Sequence, residues 1–129
     1  MTQEDKQLLL KDLCGRIYYR PKGVLLRTAF DNEEIEIIGY DGHFIDFFRK
    51  GDYDQALIDT IRLYLRPMLS MTAEEKQSYY KLIDNLHFAN GSFYSPDIKD
   101  WLDEHFFDYR GLIEMRLALE APENMYKND

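Results

Sequence analysis

Residues 95–122, S-P-D-I-K-D-W-L-D-E-H-F-F-D-Y-R-G-L-I-E-M-R-L-A-L-E-A-P, hold the only tryptophan and the sharpest helix start in the chain. Ser95 is suited to accept from the first free amides of a helix. Pro96 at the first helical position has its φ preset and lacks only an amide that would go unpaired. Asp97 and Asp100 stand where the helix dipole is positive. Ile98, Trp101, Leu102, His105 and Phe106 recur at helical spacing on one face, and Lys99, Asp100, Asp103 and Glu104 take the other. Gly111 marks the end, because a left-handed backbone suits glycine. Beyond it, Leu112-Ile113 and Leu117-Ala118-Leu119 supply apolar contacts in an extended or tightly turned segment that Pro122 stops.

Working outward, the same reasoning places a helix from Thr2 to about Cys14. Thr2 and Asp5 form a loose capping box, Leu9, Leu10, Leu13 and Cys14 form the buried stripe, and Gly15 ends it. Ile17-Tyr18-Tyr19 and Val24-Leu25-Leu26-Arg27-Thr28 read as a hairpin about Pro21-Lys22-Gly23. Residues 34–40 alternate Ile35 and Ile37 against Glu34 and Glu36, as a strand wet on one side does. Asp41-Gly42 is a favoured hairpin turn, with residues 43–48 as the returning strand. Residues 49–54 read as a loop. Leu57, Ile58, Ile61 and Leu65 fit a short helix that Arg66-Pro67 must terminate. Thr72 and Glu75 form a capping box for a helix to about His87, with Tyr79, Tyr80, Leu82, Ile83 and Leu86 inward. Asn90-Gly91-Ser92 is a turn, and Phe93-Tyr94 is an edge strand or an anchored loop. The expected fold is α+β, a single domain over 1–129: an N-terminal helix, a three- to four-stranded antiparallel sheet, and two or three C-terminal helices packed on it.

The chain has 129 residues, 45% of them hydrophobic and 15% aromatic, which suits one well-filled core and excludes a disordered chain. Its net charge of −8 opposes general nucleic-acid binding, which needs a basic face. The acid is concentrated in residues 29–60 and near the C-terminus, whereas the first 28 residues are basic. A single cysteine, Cys14, permits no internal disulfide and is expected in the core. No signal peptide and no long apolar run is present, so the cytoplasm is the expected compartment.

The chemistry-bearing residues form no constellation in sequence. His43, His87 and His105 lack metal-ligand spacing. Asp52, Asp54 and Asp59 imitate the opening of a calcium loop but lack its glycine and its final glutamate. No phosphate-cradling glycine motif occurs, and no cofactor is implied. The candidate binding residues are Tyr109, Arg110, His105 and Trp101. Arg110, at a helix exit, is placed either to clamp a carboxylate or phosphate, or to pin the C-terminal segment by pairing with Asp108 or Glu114.

Two segments, L-R-P-M-L-S-M-T-A-E-E over 65–75 and D-W-L-D-E-H-F-F-D-Y-R-G-L-I-E-M-R-L-A-L-E-A-P-E-N-M-Y over 100–126, carry a resemblance. The chain is similar to a group of small proteins of gut anaerobic bacteria and their phages and mobile elements. In that group Y-L-R-P-M-S-S-M-T-E-E-E precedes W-L…F-D-Y-R-G-L-I…L-A-L-E-A-P. The resemblance implies a bacterial, cytosolic and mobile-element origin, with no activity attached. Arg116 and Asn124 depart from it, standing where the group usually has glycine, which argues against an unusual backbone at those positions.

Three functional expectations follow. The first is a non-catalytic domain that binds another protein as an accessory or regulatory factor. The second is an anti-defence or DNA-mimicking protein whose carboxylates in 31–59 and 97–104 stand in for phosphates. The third is a small enzyme with a His and carboxylate site assembled in space.

Overall fold

Thr2 opens the chain's first helix, α1 (Gln3–Arg16): its side chain accepts from Asp5 N, and the Asp5 carboxylate returns the bond to Thr2 N. The structure, a computed structural model, describes residues 1–26, 32–87 and 96–126. After α1 a 3-10 turn (Ile17–Tyr19) ends in the left-handed Arg20, and strands β1 (Lys22–Leu26), β2 (Asn32–Tyr40), β3 (Ile45–Arg49), β4 (Asp52–Ala56) and β5 (Ile61–Leu65) follow. A 3-10 turn (Ile58–Thr60) separates β4 from β5, and another (Met68–Ser70) leads to α2 (Ala73–His87). Helix α3 (Pro96–Glu104) and strand β6 (Ala118–Glu120) complete the order.

The fold is α+β as expected, but among the described residues the sheet has six strands in the order β4-β3-β2-β1-β5-β6. It is mixed rather than antiparallel, because β6 runs parallel to β5. Three local expectations change with it. Ile17-Tyr18-Tyr19 forms a 3-10 turn instead of a strand, and β1 pairs with β2 and β5. Residues 49–54, expected as a loop, are the end of β3, a two-residue turn at Lys50 and Gly51, and the start of β4. The expected helix ending at Leu65 is the end of β4, a 3-10 turn and β5. Ile61, Leu63 and Leu65 are buried, alternating with half-buried Arg62 and Tyr64. The apolar spacing there suits either period, and the free edges of β1 and β6 decide it by satisfying both sides of the backbone.

Ile35, Ile37, Ile45, Phe47, Leu63 and Leu65 point from the sheet into one core with Leu9 and Leu13 of α1. Each such fully buried side chain contributes about 1.5–3 kcal/mol. Leu10 packs at its margin, but Cys14 is exposed, contrary to the core expectation. The inward places on α1 next to Leu9 and Leu13 go instead to Asp12 and Arg16. A second cluster beyond the end of β5 joins Met71, Ile98, Leu102 and Phe107 with Tyr79, Leu82, Ile83 and Trp101. The Thr72–Glu75 capping box is present as read, yet Tyr80 is exposed. The loop between β2 and β3 runs over residues 41–44, longer than a two-residue turn, because the Asp41 carboxylate accepts from both His43 N and Phe44 N.

Helix α3 stops before Gly111. Phe106 takes φ 61, its N–H donates to Asp103 O, and Phe107 N donates to Leu102 O. That is the reverse turn normally given to glycine after a helix, here held by a phenylalanine. Gly111, φ 76, serves the next turn instead. The Ser95 cap, the turn at 90–92, Phe93-Tyr94 and Arg27-Thr28 lie outside the described residues, as do the side chains of Leu86 and His87.

Candidate functional site

The four residues singled out from sequence separate into two groups. Tyr109 and Arg110 enter an ionic network between α1 and α3. Arg16 donates from Nε and Nη2 to the two oxygens of Asp12 at 2.9 and 3.0 Å, and from Nη2 to Phe107 O at 2.7 Å. Arg110 Nη1 donates to the same Asp12 Oδ1 at 2.6 Å and to the Tyr109 hydroxyl at 2.9 Å. The Tyr109 hydroxyl donates to Asp103 Oδ1 at 2.7 Å, and Lys99 Nζ holds Asp103 Oδ2 at 2.8 Å. Arg16 and Asp12 are fully enclosed and Asp103 nearly so. Burial, reinforced by the Asp103 carboxylate, pushes the Tyr109 phenol well above its ordinary pKa. Among the described residues the carboxylate partner of Arg110 is Asp12 of α1, in place of Asp108 or Glu114. The Asp108 carboxylate instead accepts from Leu112 N and Ile113 N and fixes the turn after Gly111.

Trp101 and His105 form the other group. The indole lies 4.3 Å from the His105 ring, 5.7 Å from the Phe107 ring and 5.8 Å from the Tyr79 ring. His105 Nδ1 sits 2.8 Å from Trp101 O. The Trp101 and Phe107 rings stack and the other two pairs are tilted, all beside the α2–α3 contact, while the guanidinium of Arg110 turns to α1. His43 lies far off in the chain, exposed in the β2–β3 loop. Among the described residues no group of three or more His, Cys, Asp or Glu is placed to hold a metal ion.

Two concave regions were not visible in the sequence. A cleft of about 590 Å³ lies where the start of α2 meets the segment after β6, lined by Arg66, Thr72, Glu75, Glu120, Glu123 and Tyr126. Arg66 donates to both Glu75 oxygens, at 2.7 and 2.6 Å, and its guanidinium lies 4.2 Å from the centre of the Phe107 ring. The Arg66 bonds hold Glu75 down at a pKa of about 2. The second region, about 520 Å³, lies on the sheet against Lys22, Glu34, Glu36, Phe48 and Lys50.

That second depression belongs to the face turned away from the core. Its register runs Tyr53–Phe48–Glu36–Lys22 across four strands, and Tyr64–Leu119 continues on β5 and β6. Between the two parts the Tyr126 hydroxyl accepts from Lys22 N at 2.8 Å and lies 3.0 and 2.8 Å from Lys22 O and Tyr64 O. Tyr53, Phe48 and Leu119 are 58, 36 and 38% exposed. Alternation along β2 and β3 could have suggested an outward Phe48, but the row appears only once the strands are ordered.

The carboxylates of the DNA-mimic reading do not share a surface. Glu33 and Asp54 flank Arg49 on the side of the core, Glu34 and Glu36 lie on the open face, and Asp103 is buried at the α1–α3 contact. No helix among the described residues is long and apolar enough to cross a membrane. No family model matches the chain, and no curated protein or solved structure matches it.

Proposed function

We propose that this chain is a non-catalytic accessory or regulatory domain that acts by binding another protein, and that the partner docks on the open face of the sheet. The observation that carries this reading is the cross-strand row Tyr53–Phe48–Glu36–Lys22, continued by Tyr64–Leu119. Aromatic and aliphatic side chains stand exposed at both ends of it with charged residues between them. Exposed aromatic side chains grouped on one face mark surfaces that bind other proteins. The reactive-looking residues support the reading from the other side. Asp12, Arg16, Asp103, Tyr109 and Arg110 bond to one another in a network that holds α1, α3 and the C-terminal segment together.

Site-specific photocrosslinking tests it. A photoreactive residue in place of Phe48, compared with one in place of exposed Tyr80 on α2, is expected to join one partner protein from position 48 alone. No partner from position 48, or equal products from both positions, would count against the open face.

A further inference from the structure

Among the described residues the outermost strand of the sheet, β4, pairs with β3 alone, and its outer edge has a pattern that selects a partner. Lys50 and Gly51 have φ 51 and 85, so the β3–β4 turn is a two-residue loop closed by Arg49 and Asp52. Hydrogen-bonded and non-bonded pairs alternate along an antiparallel ladder. Phe47–Asp54 and Ile45–Ala56 are therefore bonded pairs, and the backbone groups of Tyr53 and Gln55 point away from β3. Asp54 Oδ1 accepts from Gln55 N at 2.8 Å and covers that amide. Among the described residues, what stays open on the edge is the N–H and C=O of Tyr53, with the C=O of Gln55. Asp52 and Asp54 flank Tyr53, and the strand itself carries no cation. The neighbouring Arg49 already lies between Glu33 and Asp54, at 3.4 Å from each.

We propose that β4 is a docking edge for an extended segment of a partner protein, basic and apolar at alternate positions, which pairs through the backbone of Tyr53. Lysine or arginine side chains of that segment face Asp52 and Asp54. Its apolar side chains fall on the opposite side and prolong the Tyr53–Phe48 row. Backbone pairing supplies the affinity and alternate side chains the selectivity, as in other strand-addition complexes. A second copy of this chain fits worse. Antiparallel self-pairing about Tyr53 sets Asp52 against Asp54, and about Asp54 it sets that carboxylate against its own copy; like charges directly opposite are destabilising. Pairing about Gln55 needs the amide that Asp54 already holds. This inference rests on the protein-binding reading and narrows it to one strand and one partner chemistry.

The test uses the full chain with a short acetylated peptide alternating lysine and valine, and a glutamate–valine peptide as control. The basic peptide is expected to bind and to slow hydrogen exchange at the Tyr53 amide, and the acidic one to do neither. Tyr53→Pro removes the outward donor without touching the β3 ladder, and is expected to weaken binding at least about tenfold. Should that variant fail to fold, Asp52→Lys with the exchange measurement on the parent chain decides. Absence of binding, equal binding of the acidic peptide, or binding indifferent to both substitutions would overturn the edge. Crosslinking from position 48 together with no peptide binding would sink the edge alone and leave the broader reading standing.

Discussion

Arg110 Nη1 and Asp12 Oδ1, 98 residues apart in the chain, lie 2.6 Å from each other. The same carboxylate holds Arg16, so one acid joins the first helix to the segment that follows the last. Removing Asp12 takes the hydrogen-bonded counter-charge from enclosed Arg16 and leaves it only Asp103, 3.8 Å away and already held by Tyr109 and Lys99. Asp12→Ala is expected to lower the unfolding free energy by about 3–5 kcal/mol in urea denaturation. Arg110→Ala is expected to cost less, because its side chain is partly open and Asp12 keeps Arg16 as partner.

Gly15 gives a second test at the same contact. A Cβ there would stand 2.7 Å from Asp103 Oδ2 and 2.8 Å from Lys99 Nζ. Lys99 can swing away, but Asp103 is buried and tied to Tyr109. Helix propensity alone would make alanine better by about 1 kcal/mol. The contact reverses the sign, and Gly15→Ala is expected to destabilise the fold by about 1–3 kcal/mol. A denaturation midpoint equal to or above that of the parent would show that α1 and α3 can separate freely.

Glu75 confers a pH dependence. Its pKa falls from 4.5 to about 2 because Arg66 hydrogen-bonds its carboxylate. A depressed carboxyl stabilises the fold above its unfolded value. That contribution is complete above pH 4.5 and fades as pH drops toward 2. In Glu75→Gln this part of the acid-side loss is expected to vanish, so the stability difference between parent and variant narrows across that window. Denaturant midpoints followed down through the window measure it.

Arg116, exposed and at φ 62, tests the backbone directly. The departure from glycine there argues for an ordinary conformation, yet the residue is left-handed and its N–H donates to Ile113 O. A left-handed L-residue costs roughly 1–2 kcal/mol, of which glycine's extra freedom in the unfolded chain returns about 0.5–1. Arg116→Gly is expected to raise stability by about 0.5–1 kcal/mol, read as a shift in melting temperature.

Cys14 is the simplest check of the helix register. As an exposed residue on α1 it is expected to react with a thiol reagent in the folded protein as fast as in denaturant. Slow labelling that accelerates only on unfolding would place it in the core after all.

Signals confined to a few neighbouring residues could be read from sequence. Thr2 with Asp5 and Thr72 with Glu75 close their own bonds within three residues, and Ile35 and Ile37 alternate with glutamates along β2. What could not be read depends on distant partners. Residues 61–65 become a strand because β1 and β6 flank them, and β6 spans only Ala118–Glu120, too few for a period to show. Asp12 lies within a leucine-rich helix stripe and gains its meaning from Phe107, Tyr109 and Arg110, whose arrival no local pattern announces. The outward row failed to show for the same reason: Phe48 and Leu119 belong together only after the strand order is known.

The parallel pairing of β6 with β5 also sets an order for biosynthesis. While the chain emerges from the ribosome, β5 can take its place beside β1 but keeps a bare outer edge until residues 118–120 arrive. Truncation just before Ala118 would leave that apolar edge open, and unpaired edges invite aggregation. Nascent chains of that length should therefore depend on a chaperone that the finished protein does not need.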